Sequence, residues 1–463
     1  MHFTQYYLDC LSHASYLIGD TTTGRAVVVD PRRDVQEYLD DAAAHGLTIE
    51  LVIETHFHAD FLSGHLELAA ATGAEIGFGE VAEPEFPTRK LRDGERISLG
   101  EVTLEVLATP GHTPESISIV VYEHPDDEVP YGVLTGDTLF IGDVGRPDLL
   151  GSIGFSADEL ARHLHRSLHE KLLALPDATR VFPAHGAGSA CGKNLSTETQ
   201  STIGEQRRTN YALQPMTPDE FVDLVTADQP AAPEYFPYDA ILNRKDRALL
   251  DETDAPEPID LARLVAEQDA GAAVIDIREA DVFAKGHLRG SVNIGIGGRF
   301  AEYVGTVVSP DQPVVLVGDG AAVAEAKLRM GRIGYDRVVG ALVDLEAAMV
   351  ANPDRVDRAS QLTAVALREA RDSGQPMALI DVRNPGEVKL GRIDGAEHIP
   401  LAHLRERLDE LDRDLPTVVY CAGGYRSSIA ASLLRSVGFT DVSDLIGGYG
   451  AWLVMDQPTT AVG

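Results

Sequence analysis

The sequence predicts an α/β protein of about three domains, and three observations carry the prediction. The chain has 463 residues, too many for one core at roughly 100–200 residues per domain. Short apolar strands alternate with helical stretches over the first 210 residues or so. The second half of the chain repeats itself.

Taken in order, the strands predicted in the first part are 26–29, 51–54, 102–107, 117–121, 133–134 and 180–182, with a helix over 157–175. Between 214 and 258 prolines crowd, among them Pro215, Pro218, Pro230, Pro233, Pro237, Pro256 and Pro258. The interdomain connection is placed in this stretch. Beyond it, Val274-Ile-Asp-Ile-Arg278 recurs as Leu379-Ile-Asp-Val-Arg383, 105 residues on. Gly286-His-Leu-Arg-Gly290 recurs as Gly391-Arg-Ile-Asp-Gly395 at the same offset, whereas Val314-Val-Leu-Val317 recurs as Val418-Val-Tyr-Cys421 at 104. Two copies of one parallel-type domain follow, with Val317 expected at the position of Cys421. The domains are therefore expected at 1–245, 255–355 and 360–463.

Composition excludes several classes. Hydrophobic residues make up 44% and charged residues 24% of the chain, which is the balance of a water-soluble globular protein. Lys plus Arg number 39 against 73 Asp plus Glu, a formal charge of -34, which opposes nucleic-acid and anionic-membrane partners. The three cysteines, Cys10, Cys191 and Cys421, are too few and too scattered for a disulfide framework. A reducing compartment, the cytoplasm, is expected, since no secretory leader or spanning apolar run is legible.

Two groups of residues carry chemistry. Thr55-His-Phe-His-Ala-Asp-Phe-Leu-Ser-Gly64 follows a strand and sets two imidazoles and a carboxylate within five residues, at the end where α/β folds place their reactive groups. His112, Asp137 and His185 arrive at similar junctions in Thr109-Pro-Gly-His112, Thr135-Gly-Asp137 and Phe182-Pro-Ala-His185. Four polar loops thus converge from separate strands, as a metal centre requires. In the second group, Cys421-Ala-Gly-Gly-Tyr-Arg-Ser427 joins an apolar strand to a helix. Gly423 and Gly424 permit a tight turn that aims backbone N–H groups at the thiol, Ser427 closes the loop, and Arg426 adds a positive charge suited to an oxyanion. The first copy has no cysteine here. The run Gly295-Ile-Gly-Gly298 lacks the strand and spacing of a nucleotide loop.

The first group resembles the metallo-β-lactamase superfamily over residues 1 to about 245, which implies an αββα sandwich. Hydrolases of that fold carry His-x-His-x-Asp-His and bind two metals, but here the residue after Asp60 is Phe61, which has no lone pair. One metal is favoured. Similarity to the persulfide dioxygenase branch, particularly its fusions with rhodanese domains, implies one Fe(II) per chain on His56, His112 and Asp137. Two imidazoles and a carboxylate on one face suit non-haem iron and O₂, although zinc can bind the same set. His58, Asp60 and His185 then orient ligands or handle protons, and Cys191 is a candidate sulfur relay. The Cys421 loop resembles that of rhodaneses, which implies an active C-terminal rhodanese and an inactive middle copy.

The expectation is a bifunctional enzyme. A low-molecular-weight thiol persulfide (glutathione, coenzyme A or a similar thiol) is oxidised by O₂ to sulfite, and Cys421 passes sulfur to or from sulfite and thiosulfate. The branch implies a homo-oligomer, dimer or tetramer. Two alternatives stay open: a di-zinc thioester hydrolase of the glyoxalase II type, and a non-catalytic sulfane-sulfur carrier.

Overall fold

A period of two along the strands builds the first half of the chain. The computed structural model describes residues 1–149, 154, 156–229 and 232–456, so Pro230 and residues 457–463 lie outside the described residues. Two units form, Met1–Glu252 with Gly331–Gly334, and Thr253–Met330 with Tyr335–Gly463.

In the first unit, β1 (His2–Leu8), β2 (His13–Asp20), β3 (Arg25–Val29), β4 (Thr48–Ile53), β5 (Glu75–Gly79) and β6 (Arg89–Leu91) lie side by side in that order. A second sheet is formed likewise by β7 (Arg96–Ser98), β8 (Thr103–Ala108), β9 (Ile117–Tyr122), β10 (Gly132–Gly136), β11 (Arg180–Pro183) and β12 (Ser201–Thr202). Alternate residues Ala14, Tyr16, Ile18, Val27 and Val29 face Leu104, Val106, Ile117, Ile119 and Val121 across the gap between the sheets. The residues between them, Leu17, Ala26 and Val28, turn outward onto Tyr38 and Ala42 of the helix Gln36–Ala44. On the far face Val120, Val133 and Val181 meet Ala161 and Leu164 of the helix Ala157–Arg166. The result is an αββα sandwich. Each fully buried Val, Leu, Ile or Phe contributes about 1.5–3 kcal/mol, so this layer fixes the strand ends relative to one another.

The predicted strands coincide with β3, β4 and β8–β11, while β1, β2, β5–β7 and β12 are additions. The helix predicted over 157–175 ends at Arg166 and passes into a π turn, Ser167–Lys171, and a 3₁₀ turn, Leu172–Ala174. The proline-rich stretch is less of a connection than its composition suggests, because it forms the helices Pro218–Thr226 and Phe236–Leu242. Pro218 follows Thr217, whose side chain forms a capping box with Glu220, so a proline that reads as a breaker is a helix start.

The second unit holds the repeat. Its strands are β13 (Ala273–Asp276), β14 (His287–Leu288), β15 (Val292–Asn293), β16 (Val314–Val317), β17 (Val338–Leu342), β18 (Val356–Asp357), β19 (Ser360–Leu362), β20 (Ala378–Asp381), β21 (Glu397–His398), β22 (Thr417–Tyr420) and β23 (Val442–Leu445). One parallel sheet has the order β15, β13, β16, β17, and the other β19, β23, β22, β20, β21. The paired Asp-x-Arg motifs do the same work in both copies. Arg278 forks onto Asp276 and donates to the Gly286 carbonyl at 2.9 Å, and Arg383 forks onto Asp381 and donates to Gly391 at 2.8 Å.

One register expectation is corrected. Asp276 pairs with Val317, and Asp381 with Tyr420, so the residue equivalent to Cys421 is Gly318 and not Val317. The first copy enters its helix at Gly320, whereas the second reaches its helix only at Tyr425. Uniformly apolar strands carry no alternation to mark register, and the shortened loop hides the slip.

Candidate metal centre and sulfur-transfer loop

The metal-centre candidates stand where strands of the two facing sheets end. His56 follows β4, His112 follows β8, Asp137 follows β10 and His185 follows β11. The Thr55 hydroxyl donates to Asp30 Oδ2 at 2.8 Å, so its oxygen accepts from Nδ1 of His56 at 2.9 Å. His112 Nδ1 donates to the Arg146 carbonyl at 2.8 Å. Both rings therefore keep an Nε2 lone pair, and these lie 3.7 and 3.6 Å from Oδ2 of Asp137. The other carboxylate oxygen, Oδ1, accepts from His185 Nδ1 at 2.7 Å. Oδ2 is buried with no hydrogen-bond partner among the described residues. Three lone pairs facing one point repel one another unless a cation lies between them, so His56, His112 and Asp137 fit a divalent metal ion.

The surroundings set the charges. Burial holds the His56 imidazole well below its ordinary pKa, neutral as a ligand must be. Burial opposes charge on Asp137, but His185, His56 and His112 outweigh it and keep the carboxyl well below its usual range. Burial also opposes charge on His185, yet Asp137 and Asp60 raise its imidazole well above the usual value. Its Nε2 lies 2.8 Å from Asp60 Oδ2. Gly145 crosses directly over Asp137, where a Cβ would lie 1.8 Å from the Asp137 carbonyl oxygen. Only glycine fits there.

His58 faces elsewhere. Its Nε2 lies 3.2 Å from Asp30 Oδ1 and 3.6 Å from Glu54 Oε2, out of hydrogen-bond alignment with both. Phe61 is fully buried, its ring centroid 4.4 Å from His58 and 4.0 Å from His13. His13, which no motif marks, is buried against this group with Nε2 unpaired, and burial holds it neutral. A ligand atom of Cys191 lies within 4.8 Å of those of Asp137 and His185. Burial, with Asp60 and Asp137 adding to it, pushes its thiol well above the ordinary value, which disfavours the nucleophilic thiolate a relay needs.

The end of the first unit clamps the His-x-His loop. Asn243 Nδ2 donates to the carbonyls of His58 and Phe61, both at 2.8 Å, and Asn243 Oδ1 accepts from Ser63 N at 2.9 Å. Tyr235 donates to the Asp60 carbonyl at 3.2 Å. Asn243→Ala leaves three buried backbone groups unpaired. It should lower unfolding stability by about 3 kcal/mol in a denaturant titration and reduce the metal retained on purification.

In the second unit, Cys421 is buried at the end of β22 and its Sγ accepts from Gly424 N at 3.1 Å. Gly424 holds φ 117° as N-cap of the helix Tyr425–Ser436. No side chain caps this helix, so its first N–H groups remain for an anion at the loop. Ser427 Oγ donates to the Gly424 carbonyl at 3.0 Å and lies 3.6 Å from Sγ. A Cβ at Gly423 would meet nothing within 4 Å, so the loop has open space there. Arg426 does not stand free as its charge alone suggests: Nη1 and Nη2 donate to the two Glu387 oxygens at 2.7 and 2.8 Å. This pair fixes the loop, with the guanidinium fork turned to Glu387.

Comparison with known proteins follows the same division. The profile of the metallo-beta-lactamase superfamily matches residues 8–185, and that of the rhodanese-like domain matches 258–343 and 363–454. The mitochondrial persulfide dioxygenase ETHE1 of Homo sapiens is 30% identical over 217 residues, covering 46% of this chain and 75% of that protein. A beta-lactamase hydrolase-like protein of Agrobacterium fabrum is 31% identical over 45% of this chain, which spans only 52% of that relative. The crystal structure of a metallo-beta-lactamase from Staphylococcus aureus superposes with a TM-score of 0.67 at 35% identity, covering 74% of this chain and 98% of that one.

Proposed function

This chain belongs to the metallo-β-lactamase superfamily, with two rhodanese-like domains after it, and on that premise we propose a bifunctional sulfur enzyme. At one Fe(II) on His56, His112 and Asp137, a low-molecular-weight thiol persulfide plus O₂ plus water gives free thiol, sulfite and two protons. At Cys421, a persulfide passes its outer sulfur to sulfite, giving thiosulfate and the free cysteine, or the transfer runs in reverse.

The observation that carries the reading is the meeting of two Nε2 lone pairs and the unpaired Asp137 Oδ2 at one buried point. The similarity to a persulfide dioxygenase directs it toward sulfane sulfur. Ferrous ion supplies, when bound, an affinity for thiolate sulfur and O₂ that no side chain has. The chain's own residues hold the geometry. His185 ties down Oδ1 of Asp137 and leaves Oδ2 as the oxygen that would hold the cation, and Thr55 and the Arg146 carbonyl fix the two ring tautomers. Metal analysis of protein purified without added metal should find one iron per chain, and glutathione persulfide should drive O₂ uptake. Absence of O₂ uptake in iron-loaded protein overturns the reading.

A second reading has one observation in its favour: ligand atoms of His58, Asp60 and His185 lie within 4.8 Å of one another, all buried. A second cation there would make a di-zinc hydrolase. Against it, His58 is turned to Asp30, and Phe61, which has no lone pair, follows Asp60 where the di-metal pattern has a histidine. Two zincs per chain in the same metal analysis would decide for the hydrolase.

No helix among the described residues is long and apolar enough to cross a membrane.

A further inference from the structure

The silent rhodanese-like copy is packed against the active loop. Tyr425, the first residue of the helix that follows Cys421, donates its hydroxyl to the carbonyls of Gly295 at 2.6 Å and Gly297 at 3.2 Å. The Gly295–Gly298 run that fits no nucleotide loop thus has a structural use. One turn on, Ser428 donates to Asn293 Oδ1 at 2.7 Å, and Asn293 N donates to Ser432 Oγ at 2.9 Å. Strand β15 and the loop after it therefore set the helix whose N-terminus faces Cys421.

Tyr303, on the silent copy's helix Phe300–Val307, comes with this packing. Its ring centroid lies 5.4 Å from that of Tyr425. The charged and titratable groups that act on its phenol are Glu302, Arg426, Arg299 and Cys421. Burial and then Glu302 push the phenol up to about 12, so it is neutral and keeps its proton at ordinary pH. No side-chain hydrogen bond to it occurs among the described residues. A half-buried donor without a side-chain partner thus packs on the first residue of the helix that follows Cys421, while the fork of Arg426 is turned to Glu387.

We propose that the Tyr303 hydroxyl binds the sulfonate oxygens of thiosulfate or sulfite at the Cys421 loop, so that the silent copy sets the substrate specificity of the active one. The inference rests on the reading of Cys421 as the sulfur-transfer residue. In the loading direction, the Cys421 thiolate attacks the outer sulfur of thiosulfate. The Sγ–S bond forms, the S–S bond of thiosulfate breaks, and sulfite leaves with the electron pair. Tyr303 donates to an oxygen of the –SO₃ group before and after this step, and it has nothing to bind when the donor is a thiol persulfide.

The test uses the full chain and Tyr303→Phe, which keeps the ring against Tyr425. The expected result is a KM for thiosulfate raised about tenfold with kcat within about twofold, the pattern of a lost binding contact. Cys421 should still gain one sulfur atom by mass from glutathione persulfide. An unchanged KM overturns the proposal. Loss of loading from both donors also overturns it, because it would show Tyr303 to be structural. A wild-type chain in which Cys421 gains sulfur from neither donor instead overturns the reading of Cys421, and this inference with it.

Discussion

Asp137→Ala should purify without stoichiometric iron and show no O₂ uptake with glutathione persulfide above the metal-free background. The side chain has two separate jobs: Oδ1 orients His185, and Oδ2 is the unpaired acceptor between the two imidazoles. Removing an outer partner of a metal ligand costs roughly 10–100-fold in affinity, and removing the anionic ligand itself should cost more. The alanine variant also leaves His185 without one of its two carboxylates, and breaking a buried pair in this way destabilises by about 3–5 kcal/mol. Asp137→Asn separates the effects. Its shape and one oxygen are retained, so folding should survive by circular dichroism while metal content still falls. An asparagine variant that keeps one iron per chain would show that Asp137 is not a ligand.

The meeting of His56, His112 and Asp137 was legible because these residues follow apolar runs at strand ends, where Leu51–Ile53 leads to His56 and Leu134 leads to Asp137. Residues brought in by packing were not. His13 opens β2 and reaches the group through a single bridge to His185, 172 positions away in the sequence. No local spacing records such a pairing. Asn243 acts through backbone carbonyls of the His-x-His loop, a role that depends on tertiary approach. Charge was read correctly at Arg426 but its partner was not, since Glu387 belongs to a helix start that only the fold brings near. The repeat showed two copies of one domain, yet uniform apolar strands could not fix whether Val317 or Gly318 replaces the cysteine.

Cys421→Ser should abolish thiosulfate:thiol sulfur exchange while O₂ uptake with glutathione persulfide continues at the wild-type rate. Serine can still accept from Gly424 N, so the turn at φ 117° need not change. What disappears is the only atom of the loop that can hold sulfane sulfur, since a hydroxyl is neither nucleophilic enough nor able to form a persulfide. The independence follows from the fold: His56, His112 and Asp137 lie in the unit Met1–Glu252, and Cys421 lies in the other. Product analysis gives the sharper readout. Sulfite also takes sulfur directly from a persulfide in solution, so thiosulfate is counted above a control in which sulfite and the persulfide are mixed without protein. The serine variant should form thiosulfate no faster than that control, with sulfite plus thiosulfate together equal to the O₂ consumed, where the wild-type chain forms it faster. Thiosulfate from the variant above that control would mean that a second nucleophile carries sulfur. Loss of O₂ uptake would mean that persulfide reaches the metal centre through Cys421, making the two activities steps of one sequence and not two separable reactions.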